Sequence, residues 1–237
     1  FQKGEIARIG IDVSISTDYK ASSRAIYTPD DFVGSMQLQS DAEALKGRET
    51  AGIDKEILAN PKFRKAISLA IDRAAYNTTC TTASKAGFGL FNSMHYYDVA
   101  NGGVYRNTDE AKKVLCDVYG VDVNDYASLD EAEASITGYD LAQAKALVKE
   151  AYQEELQKGT ISATDVVKLA FGTGEINEST NRVHSFLNNA FKEMVKGTSL
   201  EGRMETTIED HADKWADDFR NGGYDICLGG WTGAAWD

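Results

Sequence analysis

The sequence is poor in the features that mark several common classes of protein. Its 237 residues contain two prolines, three cysteines and no visible internal repeat or low-complexity stretch. Cys80, Cys116 and Cys227 lie far apart and form neither a CxxC motif nor a dense disulfide framework, so they leave the redox compartment open. No run approaches the roughly 18 apolar residues of a membrane-spanning helix. The sequence therefore predicts neither a disulfide scaffold nor a membrane span.

Basic residues are also in deficit. Lys and Arg total 25 against 37 Asp and Glu, which gives a formal net charge of -12. Such a charge repels nucleic acid phosphates and anionic lipid headgroups, and this argues against a nucleic-acid-binding role. Solvated acidic helix faces explain the excess of acid. With 42% hydrophobic residues, the chain can form the core of one large domain or two small ones.

Catalytic and cofactor-binding motifs are missing. There is no GxSxG nucleophile elbow and no Gly-Lys-Ser/Thr phosphate loop, and Gly172 and Gly174 lack the third glycine of a dinucleotide fingerprint. The histidines form neither HExxH nor a close pair: His95, His184 and His211. Cys227, between Ile226 and Leu228, is typical of a small buried hydrophobe. We therefore expect no metal, no cofactor and no enzymatic activity.

Hydrophobic periodicity predicts helices in the first two thirds of the chain. The clearest covers 60–75, with Asn60 as N-cap and Pro61 at the first helical position. A second begins at Asp140 and ends near Gly159.

A third helix is predicted over 108–119, after a loop-like segment 87–103. The polar segment 41–59, with two glycines, is expected to be an exposed insertion or loop.

The last third alternates between strand and helix patterns. Strands are predicted over 166–171, 203–208 and 224–228, with helices over 178–196 and 210–221 between them. This alternation predicts an α/β fold with parallel strands and right-handed crossovers.

Two glycine-rich segments follow predicted strands. In open α/β sheets, ligands lie beyond the carboxyl ends of parallel strands. Gly172, Thr173 and Gly174 follow the first strand of the last third, and 229–233, which includes Trp231, follows the third. Glycines let backbone groups approach a ligand, and a Trp offers a large apolar face. The alternative interpretation is that the glycines serve tight turns and Trp231 is a core residue.

Four separated segments resemble, in order, the motifs of one family. They are Phe1-Gln-Lys-Gly-Glu-Ile6, Asn60-Pro-Lys-Phe-Arg-Lys-Ala-Ile-Ser-Leu-Ala-Ile-Asp-Arg73, Gly138-Tyr-Asp-Leu-Ala-Gln-Ala-Lys-Ala-Leu-Val-Lys-Glu-Ala151 and Gly223-Tyr-Asp-Ile-Cys-Leu-Gly-Gly-Trp231. The family comprises the oligopeptide- and dipeptide-binding proteins of bacterial ABC importers, solute-binding family 5. The Asp-Arg helix and the Gly-Trp strand are the specific matches, and Asp72 and Arg73 resemble the family's structural pair.

The resemblance implies a fold. It is the α/β lobe of a type II periplasmic-binding protein, with a mixed, mostly parallel sheet flanked by helices. Residues 1–237 would be one incomplete peptide-binding lobe, the C-terminal one, without the second lobe or the returning hinge segment.

The resemblance also implies ligand-lining positions. They are Gly230, Trp231 and Thr232, the loop of Gly172, Thr173 and Gly174, and Arg220 at a basic pocket position. Arg220 could equally complement the dipole of its helix. Well-known members bind the peptide's α-ammonium with an Asp three residues after the Trp, where this sequence has Ala234.

The implied function is capture of extracellular oligopeptides in a cleft between two lobes, for delivery to an ABC permease in the membrane. Such a protein is a non-enzymatic monomer without a cofactor, either a cell-surface lipoprotein or periplasmic. One alternative is a family member that binds nickel, haem or a sugar. Another is an α/β hydrolase, which would need a nucleophile near Trp231.

Overall fold

The computed structural model describes residues 21–231 without interruption and, before them, residues 3, 5, 7–11, 15, 18 and 19. At residue 231 the description covers the backbone alone. The strands are β1 (Val33–Leu38), β2 (Ile53–Asp54), β3 (Tyr96–Asp98), β4 (Gly103–Val104), β5 (Val166–Thr173), β6 (Met204–Asp210) and β7 (Ile226–Trp231). The helices are α1 (Ala42–Lys46), α2 (Pro61–Ala70), α3 (Arg73–Cys80), α4 (Asp109–Tyr119), α5 (Leu129–Ala134), α6 (Leu141–Lys158), α7 (Glu178–Val195) and α8 (Trp215–Arg220).

A five-stranded mixed sheet is the centre of the fold. β5 pairs in parallel with β6 along one edge, and its other edge pairs in parallel with the short β2 and with β7. β1 pairs antiparallel with β7, so that Val33 lies opposite Trp231 and Leu38 opposite Ile226. The predicted parallel arrangement of β5, β6 and β7 is confirmed. β1 was not predicted, and it makes the sheet mixed.

The α2 segment confirms the predicted start of a helix and corrects its end. The Asn60 side chain accepts a hydrogen bond from the Lys62 amide (2.9 Å), and Pro61 is the first helical residue. The helix ends at Ala70 instead of continuing to 75, because the Asp72 carboxylate caps a new helix, α3, by accepting from the amides of Ala74 and Ala75. The apolar stripe of α2 packs in the main core: Phe63, Ala66, Ile67 and Ala70.

Arg73 joins three segments next to this break. Its Nη1 donates to the Gly138 carbonyl (2.8 Å), and its guanidinium lies over the rings of Phe88 and Tyr119, 5.7 and 5.9 Å from their centroids. Gly138 has a φ of +63°, and a Cβ there would lie 2.3 Å from Arg73 Nη1. These contacts give Asp72 and Arg73 structural roles.

The prediction that 41–59 is an exposed insertion is wrong. The segment contains α1, β2 and a short 3-10 turn, and β2 pairs with β5. Leu45, Ile57 and Leu58 are fully buried. The segment is mostly polar, so its sequence did not indicate that a few of its apolar residues belong to the core.

The other boundaries agree with the sequence in outline. α6 begins as predicted, with Asp140 Oδ1 accepting from the Gln143 amide (2.8 Å), and it ends at Gly159 with a φ of +76°. α4 begins after the Thr108 cap. The predicted loop 87–103 contains part of the β3–β4 hairpin, and the predicted helix 210–221 is only the one-and-a-half-turn α8 after a 3-10 turn. Within the described residues, no helix is long and apolar enough to cross a membrane.

Candidate functional site

The carboxyl ends of β5, β6 and β7 meet at one edge of the sheet. The register brings Thr173 beside Asp210, and β7 runs in the same direction from Ile226, opposite Phe171. β1 is antiparallel, so its amino end arrives at the same edge. Backbone from four chain segments therefore surrounds this edge, which we call the crevice edge. Ligands of open α/β sheets bind at such a position.

At the end of β5, the glycines make room for aromatic side chains. A Cβ on Gly172 would lie 2.4 Å from the ring of the fully buried Tyr224, and one on Gly174 would lie 3.0 Å from Trp215 Cδ1. Between them, the Thr173 carbonyl accepts from the His211 amide (2.8 Å) and its hydroxyl donates to the Glu175 carbonyl (3.2 Å). Gly172 and Thr173 were predicted to follow the strand, but they belong to β5, and packing and hydrogen bonds fix this end of the strand.

Gly172→Ala is expected to lower the free energy of unfolding by about 1–3 kcal/mol or more, the range for overpacking. The Tyr224 ring cannot move away easily, because it is buried and its hydroxyl donates to the Trp215 carbonyl (2.7 Å). Denaturant unfolding checks this, with Gly34→Ala in β1 as the matched control, since a Cβ there meets nothing within 4 Å. Equal stability of the two variants would contradict the packing role.

At the end of β7, the glycines lie beneath side chains from β1 and from the residue before it. Gly229 and Gly230 were predicted to follow the strand, but they belong to it, because β1 extends the pairing to Trp231. A Cβ on Gly229 would lie 2.7 Å from Gln37 Nε2, and one on Gly230 would lie 2.9 Å from Phe32 Cδ2. The backbone of Trp231 pairs with Val33 at the crevice edge, and Thr232 lies outside the described residues.

The loop after β6 also contributes side chains to the crevice edge, which the sequence did not indicate. His211 Nδ1 lies 2.9 Å from Asp218 Oδ2, His211 Nε2 lies 3.4 Å from Glu209 Oε2, and the ring packs on Tyr224 with centroids 4.4 Å apart. The next residue, Ala212, has a φ of +45°, an uncommon conformation for a residue with a side chain. The sequence indicated no functional role for His211, and only the fold shows that it lies beside the end of β5.

Arg220 is not brought to the crevice edge. It ends α8, just before the turn that leads into the opposite end of β7, and its side chain is 73% exposed. Its Nη1 donates to Asp217 Oδ1 (2.8 Å) on the same helix. The predicted site residues thus divide into the β5 and β7 glycine segments, which share the edge, and Arg220, which lies away from it.

A buried ionic cluster holds the start of β7 in place. The side chain of Asp225 is fully buried; its Oδ1 lies 2.6 Å from Arg48 Nη2, and its Oδ2 lies 2.6 Å from Lys55 Nζ and accepts from the Ala170 amide (2.7 Å). Lys55 also donates to the Lys168 carbonyl (2.7 Å). The cluster ties the 48–55 segment to β5 and to the start of β7, and hence to the strand that carries Gly230.

The three cysteines do not add reactive groups. Cys80, Cys116 and Cys227 are buried and unpaired, and burial raises the pKa of each thiol. A raised pKa leaves less of the nucleophilic thiolate. Cys227 packs with Ala170 and Tyr224, as expected of a small hydrophobe. Within the described residues, no group of three or more His, Cys, Asp and Glu side chains is placed to hold a metal ion. The crevice edge offers mainly backbone and aromatic groups, which are suited to binding a ligand.

The mixed, mostly parallel sheet with its flanking helices has the architecture of a lobe of a type II periplasmic-binding protein. The chain belongs to the bacterial extracellular solute-binding proteins, family 5, whose Middle model matches residues 1–237.

Solved structures agree with this fold. Listeria monocytogenes OppA bound to peptide is 17% identical, with a TM-score of 0.58 over 92% of this chain and 34% of that chain. The substrate-binding domain of an oligopeptide ABC transporter from Bacillus anthracis str. Ames is also 17% identical, with a TM-score of 0.58 over 91% of this chain and 33% of that chain. The substrate-binding protein CtaP from Listeria monocytogenes is 16% identical, with a TM-score of 0.53 over 94% and 34%.

At these identities the likeness shows the fold alone. The chain spans about a third of the length of these structures. No curated protein matches the chain.

Proposed function

We propose that this chain is the peptide-binding lobe of a protein that captures extracellular oligopeptides for an ABC-type importer. The observation that carries the proposal is the family match over the whole chain, together with a crevice edge where the backbone of Gly230 is exposed. One structure with the same fold is described as OppA bound to peptide.

Binding would rest on main-chain recognition. An extended peptide offers one N–H and one C=O per residue, and exposed strand and loop backbone can pair with them whatever the side chains are. The candidates on this chain are Gly230, Trp231 and Thr232 with the loop Gly172–Thr173–Gly174. Such a site holds its ligand without chemistry, which supports a non-enzymatic carrier without a cofactor; that the carrier is a monomer is part of the proposal. Arg220, exposed and paired with Asp217, is better explained as a complement to its helix dipole.

The lobe would supply half of a cleft. A second lobe closing over the crevice edge would exclude water and contribute the remaining contacts, so that this lobe alone binds peptide several kcal/mol more weakly than the whole protein. The partner would be a membrane permease, and the protein would be periplasmic or a cell-surface lipoprotein.

Because the resemblance to the family implies that Trp231 lines the ligand, we expect Trp231→Ala in the protein of natural length to weaken binding of short peptides by about 10- to 100-fold, since a large apolar side chain in contact with a ligand contributes strongly to affinity. Calorimetric titration with a mixed peptide library measures this. Tyr126→Ala, an exposed aromatic residue after a 3-10 turn away from the sheet, is the control. If no peptide gives heat but nickel, haem or a sugar does, the ligand of this protein is that solute and not a peptide.

A further inference from the structure

Two glycines face each other across β1 and β7 at the crevice edge. Gly34 and Gly230 are directly opposite in the antiparallel register. Directly opposite residues point to the same face of a sheet. Both glycines are exposed, and together they form a short strip of that face with no side chains of its own.

The strip has defined borders. One step inward along the strands, Met36 lies opposite Leu228, and both pack against the main core. A Cβ on Gly34 would meet nothing within 4 Å, whereas one on Gly230 would lie 2.9 Å from Phe32 Cδ2 and 3.3 Å from Phe32 Cγ. The strip is therefore open above Gly34, whereas the Phe32 ring covers Gly230 and forms one wall of the open space. We call this space the glycine slot.

Phe32 is held in place while its ring is exposed. Asn92, itself 8% exposed, donates from Nδ2 to the carbonyl of the preceding residue, Asp31 (2.6 Å). On the other side, Val33 begins the pairing with β7. The chain on both sides of Phe32 is thus fixed, yet 44% of the residue is exposed. A preorganised aromatic surface loses little conformational freedom when a ligand covers it.

We propose that the glycine slot accepts one apolar side chain of the bound peptide and that Phe32 determines this specificity. The inference rests on the proposed function. An extended peptide that pairs with β7 beyond its contact with β5 at Ile226 would carry its side chains alternately on the two faces of the sheet, and a side chain level with Gly230 on this face would lie against the Phe32 ring. Phe32, Met36 and Leu228 border the slot with apolar side chains, so an apolar ligand side chain would fit there better than a polar one, which would lose hydration.

The inference can be tested by a substitution that places a side chain in the slot. Gly34 has ordinary backbone dihedrals and open surroundings, so Gly34→Val can be built without strain. We expect this variant, in the protein of natural length, to bind peptides of otherwise equal sequence about 10-fold or more weakly when they carry Leu in the slot, and to bind the matched Asn peptides nearly as before. Calorimetry with Leu and Asn scanned through each peptide position measures both. Gly10→Val, another glycine with open surroundings, is the control.

Phe32→Ala gives an independent readout. It should reduce the preference for Leu over Asn at one peptide position by about 5- to 20-fold. If the preference for Leu over Asn is unchanged in both variants, the inference is overturned. This holds also where Phe32→Ala lowers the melting temperature, since the ring would then serve packing within the protein. If the unsubstituted protein binds no peptide, the proposed function fails and the slot fails with it. If peptides bind and the preference is unaffected, the slot alone fails.

Discussion

Asp225→Ala is expected to lower the free energy of unfolding by about 3–5 kcal/mol, the cost of leaving buried charges without a partner. The carboxylate is fully buried and lies 2.6 Å from both Arg48 Nη2 and Lys55 Nζ. It also accepts from the Ala170 amide (2.7 Å). Alanine would remove all three interactions and leave two cations with side chains only 20% and 12% exposed.

The consequence extends to the crevice edge. Asp225 directly precedes β7, and its own carbonyl accepts from the Gln39 amide (2.9 Å) at the end of β1. The cluster thus fixes the start of the β1–β7 ladder whose other end carries Gly34 and Gly230. A looser ladder in the variant should accelerate amide exchange in both strands.

Asp217→Ala is the matched control, because it also removes an aspartate from an ion pair. Its side chain is 75% exposed and pairs with Arg220 on the same helix. Exposed pairs contribute roughly 0.2–1 kcal/mol. Asp225→Asn should fall between the two, since an amide oxygen can still accept from Ala170 while the cations lose their counter-charge. Denaturant unfolding of the three variants gives this order; equal losses at positions 225 and 217 would show that the cluster contributes no more than a surface pair.

Local signals explain why some elements could be predicted from the sequence. The caps at Asn60 and Asp140 act within three residues, and the αL position at Gly159 needs only its own glycine. The break between α2 and α3 is also local, but the apolar period running through Ile71 concealed the cap at Asp72. In this chain, periodicity located the helices, and cap chemistry set their ends.

Long-range pairing explains what was missed. β1, with the sequence Val-Gly-Ser-Met-Gln-Leu, does not alternate clearly, and it becomes a strand by pairing with β7 nearly 200 residues later. β2 has only two residues and depends on β5. Since neither has a strong pattern of its own, the sequence placed no strand before the last third.

The candidate site also has features that the local sequence predicted and features that only tertiary packing determines. The order of the predicted strands indicated that the glycine segments at 172–174 and 229–230 share one edge, although most of these residues belong to β5 and β7 instead of following them. It did not indicate that Tyr224 and Phe32 cover Gly172 and Gly230, because those contacts are set by tertiary packing. Lys55 and Asp225 are 170 residues apart, and no local rule pairs them.

Asp54→Asn is expected to stabilise the protein at alkaline pH, by about 2–4 kcal/mol near pH 8. Asp54 is 1% exposed, its Oδ2 accepts only a long bond from the Ile57 amide (3.4 Å), and its Oδ1 has no partner among the described residues. Burial raises the pKa of Asp54 to about 8, and the charges of Glu49 and Asp165 contribute in the same direction. One unit of pKa corresponds to about 1.4 kcal/mol, and local rearrangement reduces the full difference.

The direction of the pH dependence follows from proton binding. In the unfolded chain an Asp ionises near pH 4, whereas the folded protein keeps the Asp54 proton until about pH 8. Between these values the folded state binds the extra proton, so this carboxyl group makes stability fall as pH rises through the window. Asparagine keeps the shape and the carbonyl acceptor but has no proton to lose.

Denaturant unfolding at several pH values from 4 to 8.5 should therefore show two curves that meet near pH 4 and separate as pH rises. Asp117→Asn, on the exposed side of α4, is the control and should follow the unsubstituted protein. Parallel curves for Asp54→Asn would contradict the prediction and would mean that Asp54 is ionised in the folded state.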